Sequence, residues 1–531
     1  MSRPERDLAA GFPPADLKVW RELAARALGK QGAALDELLT RRTSDEIARG
    51  PLFTARGGEG GQPAPAAPHP QDIRCAIDHP DPAKANTQVR EAVAGGARVL
   101  ELKIDPSGES GCLIRGVDDL KTMLGDVDLS ETKIALDAGD ASPLAAAMLA
   151  ALMETTSETA WVDLGFDPHA RLATRCELSR GLDDERANAA EWALWADQST
   201  ADARAYRIDA RIVHEAGGSE AWELAFAAAS ALAALDDMVE HNLSLDRAAA
   251  QIGFAISLDA DAHLGIAKIR ALRRIWNRIV TASGCSSDIA GETPIHAYSS
   301  NRMLARRDPW TNIMRLTAAS FAAACGGADS VAIAPFTAAL GGTNALSRRL
   351  TRNIPLVLAH ECRLGRVADP ARGSFHHETL TDTLARQAWT HFQEIQAEGT
   401  LEKFIVEGRL HAAVAQTRAA RTAAFKNEDA VLIGVTAYPP SKELEAAHPL
   451  RLDSVDHDAA RKTAETRSAA RKPPATRAAR PVPDQLIPLA RDGADVSTML
   501  SPPTEEHEPY HETPLRPMRD AAAFEAAGEA S

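Results

Sequence analysis

The sequence predicts an α/β protein whose core is a closed (β/α)8 barrel of the TIM type. Short β-rich runs alternate with longer alanine-rich stretches, eight such runs can be counted, and they occupy roughly 260 residues, which suits a barrel of this kind. Strands separated by helices are expected to pair in parallel through right-handed crossovers. An open doubly wound sheet is the alternative, but no G-x-G-x-x-G motif follows the first run to favour it.

The predicted strands are apolar or alternating runs bounded by polar turn residues. They are VLELKI from Val99, KIALDA from Lys133, WVDLGF from Trp161, YRIDARIV from Tyr206, QIGFAISL from Gln251, TPIHAYS from Thr293, DSVAIAP from Asp329 and PLVLAHE from Pro355.

Around the barrel the chain divides into four predicted parts. Residues 1–56 form an N-terminal helical extension, because leucines recur there at near-helical spacing. Residues 57–71 form a Gly- and Pro-rich linker. Residues 72–440 form the barrel. Residues 441–531 form a linker and a largely disordered tail, because they offer few large apolar side chains.

Composition restricts the class of function. The net charge of −15 argues against a nucleic-acid-binding face, which has to be basic. The six cysteines are scattered without a C-x-x-C pair, as is typical of reduced thiols in the cytosol. No signal-peptide run and no stretch of ~20 apolar residues is found. We therefore expect a cytoplasmic protein that binds neither nucleic acid nor membrane.

Polar residues at the ends of predicted strands are the candidate site residues, because barrels carry function at the carboxyl ends of their strands. The candidates are His214 with Glu215, His296 with Tyr298, and His360 with Glu361. A histidine and a glutamate there suit general acid–base work or ligand contacts. The alternative interpretation is that they cap helices or satisfy loop backbone groups.

No metal site is predicted. His360, Glu361 and Cys362 are adjacent on a predicted strand, so their side chains point to opposite faces. His376 and His377 fall in a predicted loop and are expected to be solvated.

Two further segments have an ordinary structural interpretation. GGTNA, from Gly341, precedes a helix and forms either a turn or a phosphate cradle. Residues 414–425 are predicted to form an amphipathic helix with Arg418 and Arg421 on its solvent face.

The stretch from Arg307 to Trp389 resembles the methylmalonyl-CoA mutase family. RDPWTNIMRLTAASF is similar to the family's D-P-x-x-N-x-x-R-x-T helix opening, and LTRNIPLVLAHECRLGRVADPARGSF is similar to its R-N segment followed by a D-P-x-x-G-S turn. HEAGGSEAWELA, from His214, fits the family's loop after strand four. DHPDPAKAN, from Asp78, is similar to the entry to the barrel in small subunits. The resemblance covers about residues 15 to 440.

The resemblance implies a carbon-skeleton rearrangement of acyl-CoA thioesters, methylmalonyl-CoA or succinyl-CoA, with adenosylcobalamin as cofactor. In such enzymes the barrel shields radicals, and a carboxyl-terminal domain presents the cobalamin.

The family's catalytic pattern is altered here. When its E-A-G is placed on Glu215 to Gly217, Arg211 and Ile212 occupy the Tyr-His positions, and isoleucine cannot donate a hydrogen bond to a thioester carbonyl. His214, on the same predicted strand face, is the remaining candidate catalytic residue. Phe53 stands in place of a family tyrosine.

Two further departures concern cofactor and substrate contacts. IHAYSSNR, from Ile295, replaces the family's CoA-contacting segment, and Glu361 alone stands where the family has a glutamate near the adenosyl ribose. No D-x-H-x-x-G motif, which supplies cobalamin's axial histidine, occurs in the sequence. RPMRDAAAFE, from Arg516, resembles the opening of the small subunit's last domain, so we expect a chain truncated before its cobalamin-binding domain.

The resemblance therefore implies a small, catalytically degenerate subunit that forms a heterodimer with a catalytic large subunit; whether it retains CoA as a vestigial ligand is left open. The alternative is an active barrel-only mutase subunit that uses cobalamin carried by a separate protein. A stand-alone metabolite-binding protein is the third possibility.

Overall fold

The structure is a computed structural model, which describes residues 16–54, 70–155, 160–175, 177–286, 288–441, 450–471, 473–503, 509–511 and 513–529. Eight parallel strands close a barrel in the order β8-β1-β2-β3-β4-β5-β6-β7. The strands are β1 (Asp72–Ile77), β2 (Val99–Lys103), β3 (Lys133–Asp137), β4 (Trp161–Phe166), β5 (Asp202–Asp209), β6 (Ile252–Leu258), β7 (Ile295–Ser299) and β8 (Ser330–Ala332).

Helices precede, surround and follow the barrel. They are α1 (Leu17–Leu28), α2 (Gly32–Leu39), α3 (Pro82–Ala94), α4 (Val117–Leu124), α5 (Ser142–Met153), α6 (Pro168–Thr174), α7 (Leu182–Gln198), α8 (Arg211–Glu215), α9 (Glu220–Glu240), α10 (Leu245–Ala250), α11 (Ala262–Ser283), α12 (Ile289–Glu292), α13 (Asn312–Gly326), α14 (Ala345–His360), α15 (Phe375–Ala397), α16 (Leu401–Val406), α17 (Arg409–Lys426), α18 (His457–Ala469), α19 (Pro483–Arg491), α20 (Val496–Met499) and α21 (Ala522–Glu529).

The predicted (β/α)8 barrel is confirmed. Its strands are buried on both faces, so they consist of nearly continuous apolar runs; every residue of β6 is buried. The helices are capped by local sequence signals: Asp81 accepts hydrogen bonds from the first turn of α3, which carries Pro82, and Ser219 caps the alanine-rich α9.

The assignment of the first and the last strand was wrong. The first strand of the barrel is Asp72–Ile77, which the sequence analysis did not count, and DHPDPAKAN follows this strand instead of leading into the barrel. Residues 355–361, predicted as the eighth strand, lie in and just after α14. Asn344 and Ser347 form a capping box that starts this helix, and Pro355 is accommodated inside it.

The N-terminal extension is helical as predicted in α1 and α2, and then forms a short antiparallel ladder in which Arg41–Arg42 pairs with Ala48–Arg49. The predicted linker, residues 57–71, lies almost wholly outside the described residues, as do residues 1–15.

The carboxyl-terminal segment is more ordered than the sequence analysis expected. Helices α18 to α21 lie within residues 441–531, and α19 packs against α5. Trp192 donates a hydrogen bond from Nε1 to the carbonyl of Pro481 (2.9 Å), and Arg491 pairs with Glu154 (2.6 Å). This segment therefore wraps around one side of the barrel.

Among the described residues, cysteines 75, 112, 285, 325 and 362 are free thiols. None of the helices in that part of the chain combines the length and apolarity that crossing a bilayer requires.

Candidate functional site

A cavity of about 490 Å³ lies at the carboxyl ends of the strands, where barrels carry their functional residues. We call it the mouth cavity. Its polar lining includes Arg74, Glu101, Lys103, Asp137, Asp209, Arg211, Glu215, Ser257, Tyr298 and Asn301, and Ile212 and Pro517 also line it.

Beneath the mouth cavity, charged side chains from four strands meet inside the barrel. Arg74 on β1 contacts Glu101 on β2 and Asp163 on β4, each at 3.3 Å. Arg207 on β5 donates from Nη1 to the same Asp163 carboxylate at 2.7 Å. Tyr298 on β7 donates its hydroxyl hydrogen to Glu101. We call these five residues the interior ion network; all are buried.

The network holds its carboxylates ionised. Burial alone would raise the pKa of Glu101, but Arg74 and Arg207 outweigh it and lower the pKa to about 2. The same two arginines lower the pKa of Asp163 against the effect of burial. Each carboxylate in the network thus faces guanidinium groups, as buried charges require.

His296 and Tyr298, both candidates from the sequence, lie together at this network. His296 Nδ1 is 2.8 Å from the Ser330 hydroxyl, and its Nε2 is 3.9 Å from Asp163. Burial, reinforced by Arg74 and Arg207, lowers the pKa of His296 well below its usual value. The imidazole is therefore neutral at physiological pH and structurally engaged.

Arg211 lies over the network at the floor of the mouth cavity. Its guanidinium forms two 2.7 Å hydrogen bonds with Asp209, and its central carbon is 3.8 Å from the centroid of the Tyr298 ring. Arg211 therefore makes a cation–π contact with Tyr298, and the carboxylate at the end of β5 neutralises its charge. Ile212 follows it and contributes only apolar surface to the cavity.

His214 and Glu215 separate in space. Residues 211–215 form the short helix α8, so the prediction that His214 continues a strand face was wrong. Glu215 lines the mouth cavity, where its Oε1 accepts a hydrogen bond from Ser257 (2.9 Å).

His214 is fully buried against α9 and α11. Its Nδ1 is 3.3 Å from Lys268 Nζ and 3.5 Å from Glu223. Burial, with Arg302 and Lys268 nearby, lowers the pKa of His214 well below its usual value. It is not among the residues that line the mouth cavity.

His360, Glu361 and Cys362 lie far from the mouth cavity. Helix α14 starts beyond the carboxyl end of β8 and runs back along the barrel, so its exposed C-terminal end lies at the opposite face. The prediction that these residues end a strand was wrong, because the apolar run PLVLAH belongs to this helix.

His376 and His377 begin helix α15 instead of lying in a loop. His376 packs against Phe53, with ring centroids 4.7 Å apart, and His377 Nε2 is 3.0 Å from His263 Nδ1. They are partly buried, not freely solvated.

Sequence reasoning missed Arg74, Glu101, Asp163 and Arg207. A signal was present: each is the one charged side chain at the centre of an otherwise apolar strand segment, in IRCAI, VLEL, WVDLGF and AYRI. Several central charges of opposite sign on neighbouring strands indicate an ion network inside a barrel, because side chains at alternate positions all point inward.

Comparisons with known proteins agree with this fold. The model of the methylmalonyl-CoA mutase family matches residues 70–490. The methylmalonyl-CoA mutase small subunit of Streptomyces virginiae is 34% identical over 453 residues, which are 81% of this chain and 72% of that protein. The probable small subunit of Mycobacterium tuberculosis (strain ATCC 25618 / H37Rv) is 34% identical over 67% of this chain, and that of Propionibacterium freudenreichii subsp. shermanii is 32% identical over 69%. The matches span 57% and 56% of those two proteins.

Proposed function

The chain belongs to the methylmalonyl-CoA mutase family, and from this premise we propose that it is a structural small subunit of an adenosylcobalamin-dependent mutase. In this proposal a catalytic large subunit interconverts methylmalonyl-CoA and succinyl-CoA, and this chain supports it without turning over substrate. The observation that carries the proposal is the interior ion network, whose paired charges lie buried across the centre of the barrel.

The network opposes entry of a substrate because its members compensate one another. An acyl chain passing between β1 and β4 would have to separate Arg74 from Asp163, both buried. Breaking a buried pair leaves an unpaired charge in a low-dielectric interior, which costs about 3–5 kcal/mol. Among the described residues, the network therefore leaves the mouth cavity, and no path through the centre of the barrel, for an acyl-CoA, which supports a structural role for this chain.

The residues of the mouth cavity do not fit cobalamin. Its described lining contains no histidine, and the D-x-H-x-x-G segment that would bring an axial histidine to the barrel does not occur in the sequence, so cobalt has no axial ligand here. A corrin ring with its nucleotide loop is also much larger than the cavity. In the proposed complex, cobalamin therefore belongs to the large subunit.

A partner is supported by the outer surface of α13. Arg315 is its only charged residue and is buried, so the described solvent face of this helix carries no charge. Met314 is 69% exposed, Phe321 is 39% exposed, and Trp310 precedes them at 38%. Contiguous exposed apolar side chains without charge are typical of an interface core. We propose that the large subunit covers this face.

The catalytic role of His214 and the adenosyl contact of Glu361 stay predictions. His214 lies outside the mouth cavity, and Glu361 lies at the opposite face of the barrel. Neither position adds support to those roles.

The test is to purify the chain alone and together with the large subunit from the same organism. Size-exclusion chromatography and adenosylcobalamin-dependent formation of succinyl-CoA are measured on each sample. We expect co-elution, and turnover only in the mixture. Turnover by this chain with a free cobalamin-binding protein would instead establish the active barrel-only subunit.

Two variants locate the interface. Met314→Glu is expected to weaken co-elution by about tenfold or more, since it buries a carboxylate in an apolar contact. Val239→Glu, at a position that is 44% exposed near the end of α9, is the matched control and should leave co-elution unchanged. Equal behaviour of the two variants would remove α13 from the interface.

A further inference from the structure

The last described segment of the chain crosses the carboxyl face of the barrel. We call residues 513–526 the strap. The Leu515 amide donates to the carbonyl of Ala173 (2.9 Å), in α6 after β4. The Met518 amide donates to the carbonyl of Glu215 (2.8 Å), in α8 after β5, and the Asp520 amide donates to that of Arg302 (2.9 Å), after β7. The strap thus bridges the segments that follow three of the barrel strands, β4, β5 and β7.

Charged anchors hold the strap at its far end. Arg421 on α17 donates two hydrogen bonds to the Asp520 carboxylate, at 2.8 and 2.7 Å. Glu525 accepts hydrogen bonds from the amides of Arg306 (2.5 Å) and Arg307 (3.1 Å). Asp520 and Glu525 are both buried, so these are strong, partly desolvated contacts. The prediction that Arg421 lies on the solvent face of its helix was wrong, because its guanidinium pairs with the buried Asp520.

The barrel is shaped to receive the strap. Gly217, after α8, has a φ of +102°, and a Cβ atom there would lie 2.8 Å from Met518 Sδ and 2.8 Å from Arg418 Cβ. Only glycine permits this approach in this backbone conformation. Ala521 is fully buried with Ala305, Phe425, Leu432 and Val435 in a small apolar cluster.

Pro517, in the middle of the strap, lines the mouth cavity together with Arg211 and Ile212. From this placement we infer that the strap is a lid built into the chain, which covers the mouth above Arg211 and Ile212 and has to detach before a bulky molecule can enter from that side. The inference rests on the proposed function, in which this barrel does not turn over substrate.

The test measures the accessibility of position 212, which is partly buried with the strap in place. Cysteine is introduced by Ile212→Cys, and its labelling rate with a bulky polyethylene-glycol maleimide is followed by mass spectrometry of the peptide that contains it. We expect slow labelling in this background, and about tenfold faster labelling when Asp520→Ala removes the anchor, because local opening becomes more populated. Arg516→Ala, at an exposed position of the strap, is the matched control and should leave the labelling rate as slow as in the parent.

Two further variants keep the result interpretable if Asp520→Ala unfolds the tail more widely. Exchanging the pair, Arg421→Asp with Asp520→Arg, is expected to restore slow labelling. Gly217→Ala, which acts from the barrel side, is expected to speed it. Equal labelling rates in the parent, Asp520→Ala and Gly217→Ala backgrounds would overturn the inference that the strap is a lid. Labelling needs neither the large subunit nor turnover. The inference that the strap is a lid can therefore fail while the proposed function stands, and the reverse.

Discussion

Arg74 and Asp163 join opposite sides of the barrel, with Nη2 3.3 Å from Oδ2, although 89 residues separate them in the chain. Arg207 shares the same carboxylate from β5. This pairing ties three strands together through their interiors, in addition to the backbone ladder around them.

Arg74→Met is expected to lower the free energy of unfolding by about 3–5 kcal/mol, because it leaves Glu101 and Asp163 buried with less compensating charge. Urea unfolding followed by circular dichroism measures this. The control is Arg98→Met, which removes an exposed pair with Glu131 (3.5 Å) and should cost less than about 1 kcal/mol. Equal losses for the two variants would mean that the network adds little to stability.

Tyr298→Phe is expected to leave turnover of the assembled complex unchanged. The substitution removes the hydroxyl that donates to Glu101 and should lower the free energy of unfolding by about 1–2 kcal/mol. Steady-state kinetics of the mixture and urea unfolding of the chain measure both effects, with the exposed Tyr438→Phe as control. A lower kcat with unchanged assembly would place Tyr298 in a working active site.

His214→Gln is expected to destabilise the chain by about 1–3 kcal/mol through its buried contacts with Lys268 and Glu223, and to leave kcat of the complex unchanged. The exposed His360→Gln serves as the control. If kcat fell while co-elution persisted, His214 would be catalytic, and the proposed structural role of this chain would be wrong.

Asp45→Asn is expected to flatten the pH dependence of stability. Burial, followed by the nearby charge of Glu220, raises the pKa of Asp45 to about 7, although Lys268 acts in the opposite direction. Its Oδ2 accepts a hydrogen bond from the amide of Ala221 (3.1 Å). Because the folded pKa is raised, the folded chain holds this proton more tightly, so the associated stability is complete below about pH 4 and is lost as pH rises through about 7.

Urea unfolding at a series of pH values measures this prediction. The parent chain should lose stability between about pH 4 and 7, and Asp45→Asn should lose less. Glu46→Gln, on the exposed neighbour with its side chain 79% accessible, should follow the parent. A steeper loss in Asp45→Asn than in the parent would show that the carboxylate is ionised in the folded chain.

The sequence predicted the barrel because alternation of strands and helices is a long-range pattern that single errors do not disturb. The assignment of strands was wrong at both ends of that pattern. Asp72–Ile77 follows the predicted linker and carries Arg74 at its centre, so it did not register as an apolar strand. PLVLAHE is a short apolar run, which periodicity alone cannot assign to a strand or a buried helix.

The site was less predictable than the fold. His296 and Tyr298 were found because polar residues near strand ends are an established signal in barrels. Their partners come from four strands far apart in sequence, and only the closed barrel brings them together. The position of the strap was equally hidden, since Arg421 and Asp520 are paired across 99 residues.

The interior ion network also restricts how this lineage can change. Any single substitution of Arg74, Glu101, Asp163 or Arg207 leaves an uncompensated buried charge, at a cost of about 3–5 kcal/mol out of a typical total stability of about 5–15 kcal/mol. A descendant with an open lumen is therefore reached only through paired exchanges of opposite charge. Each single exchange on such a route would be opposed by lower stability of the fold, whatever its effect on ligand binding.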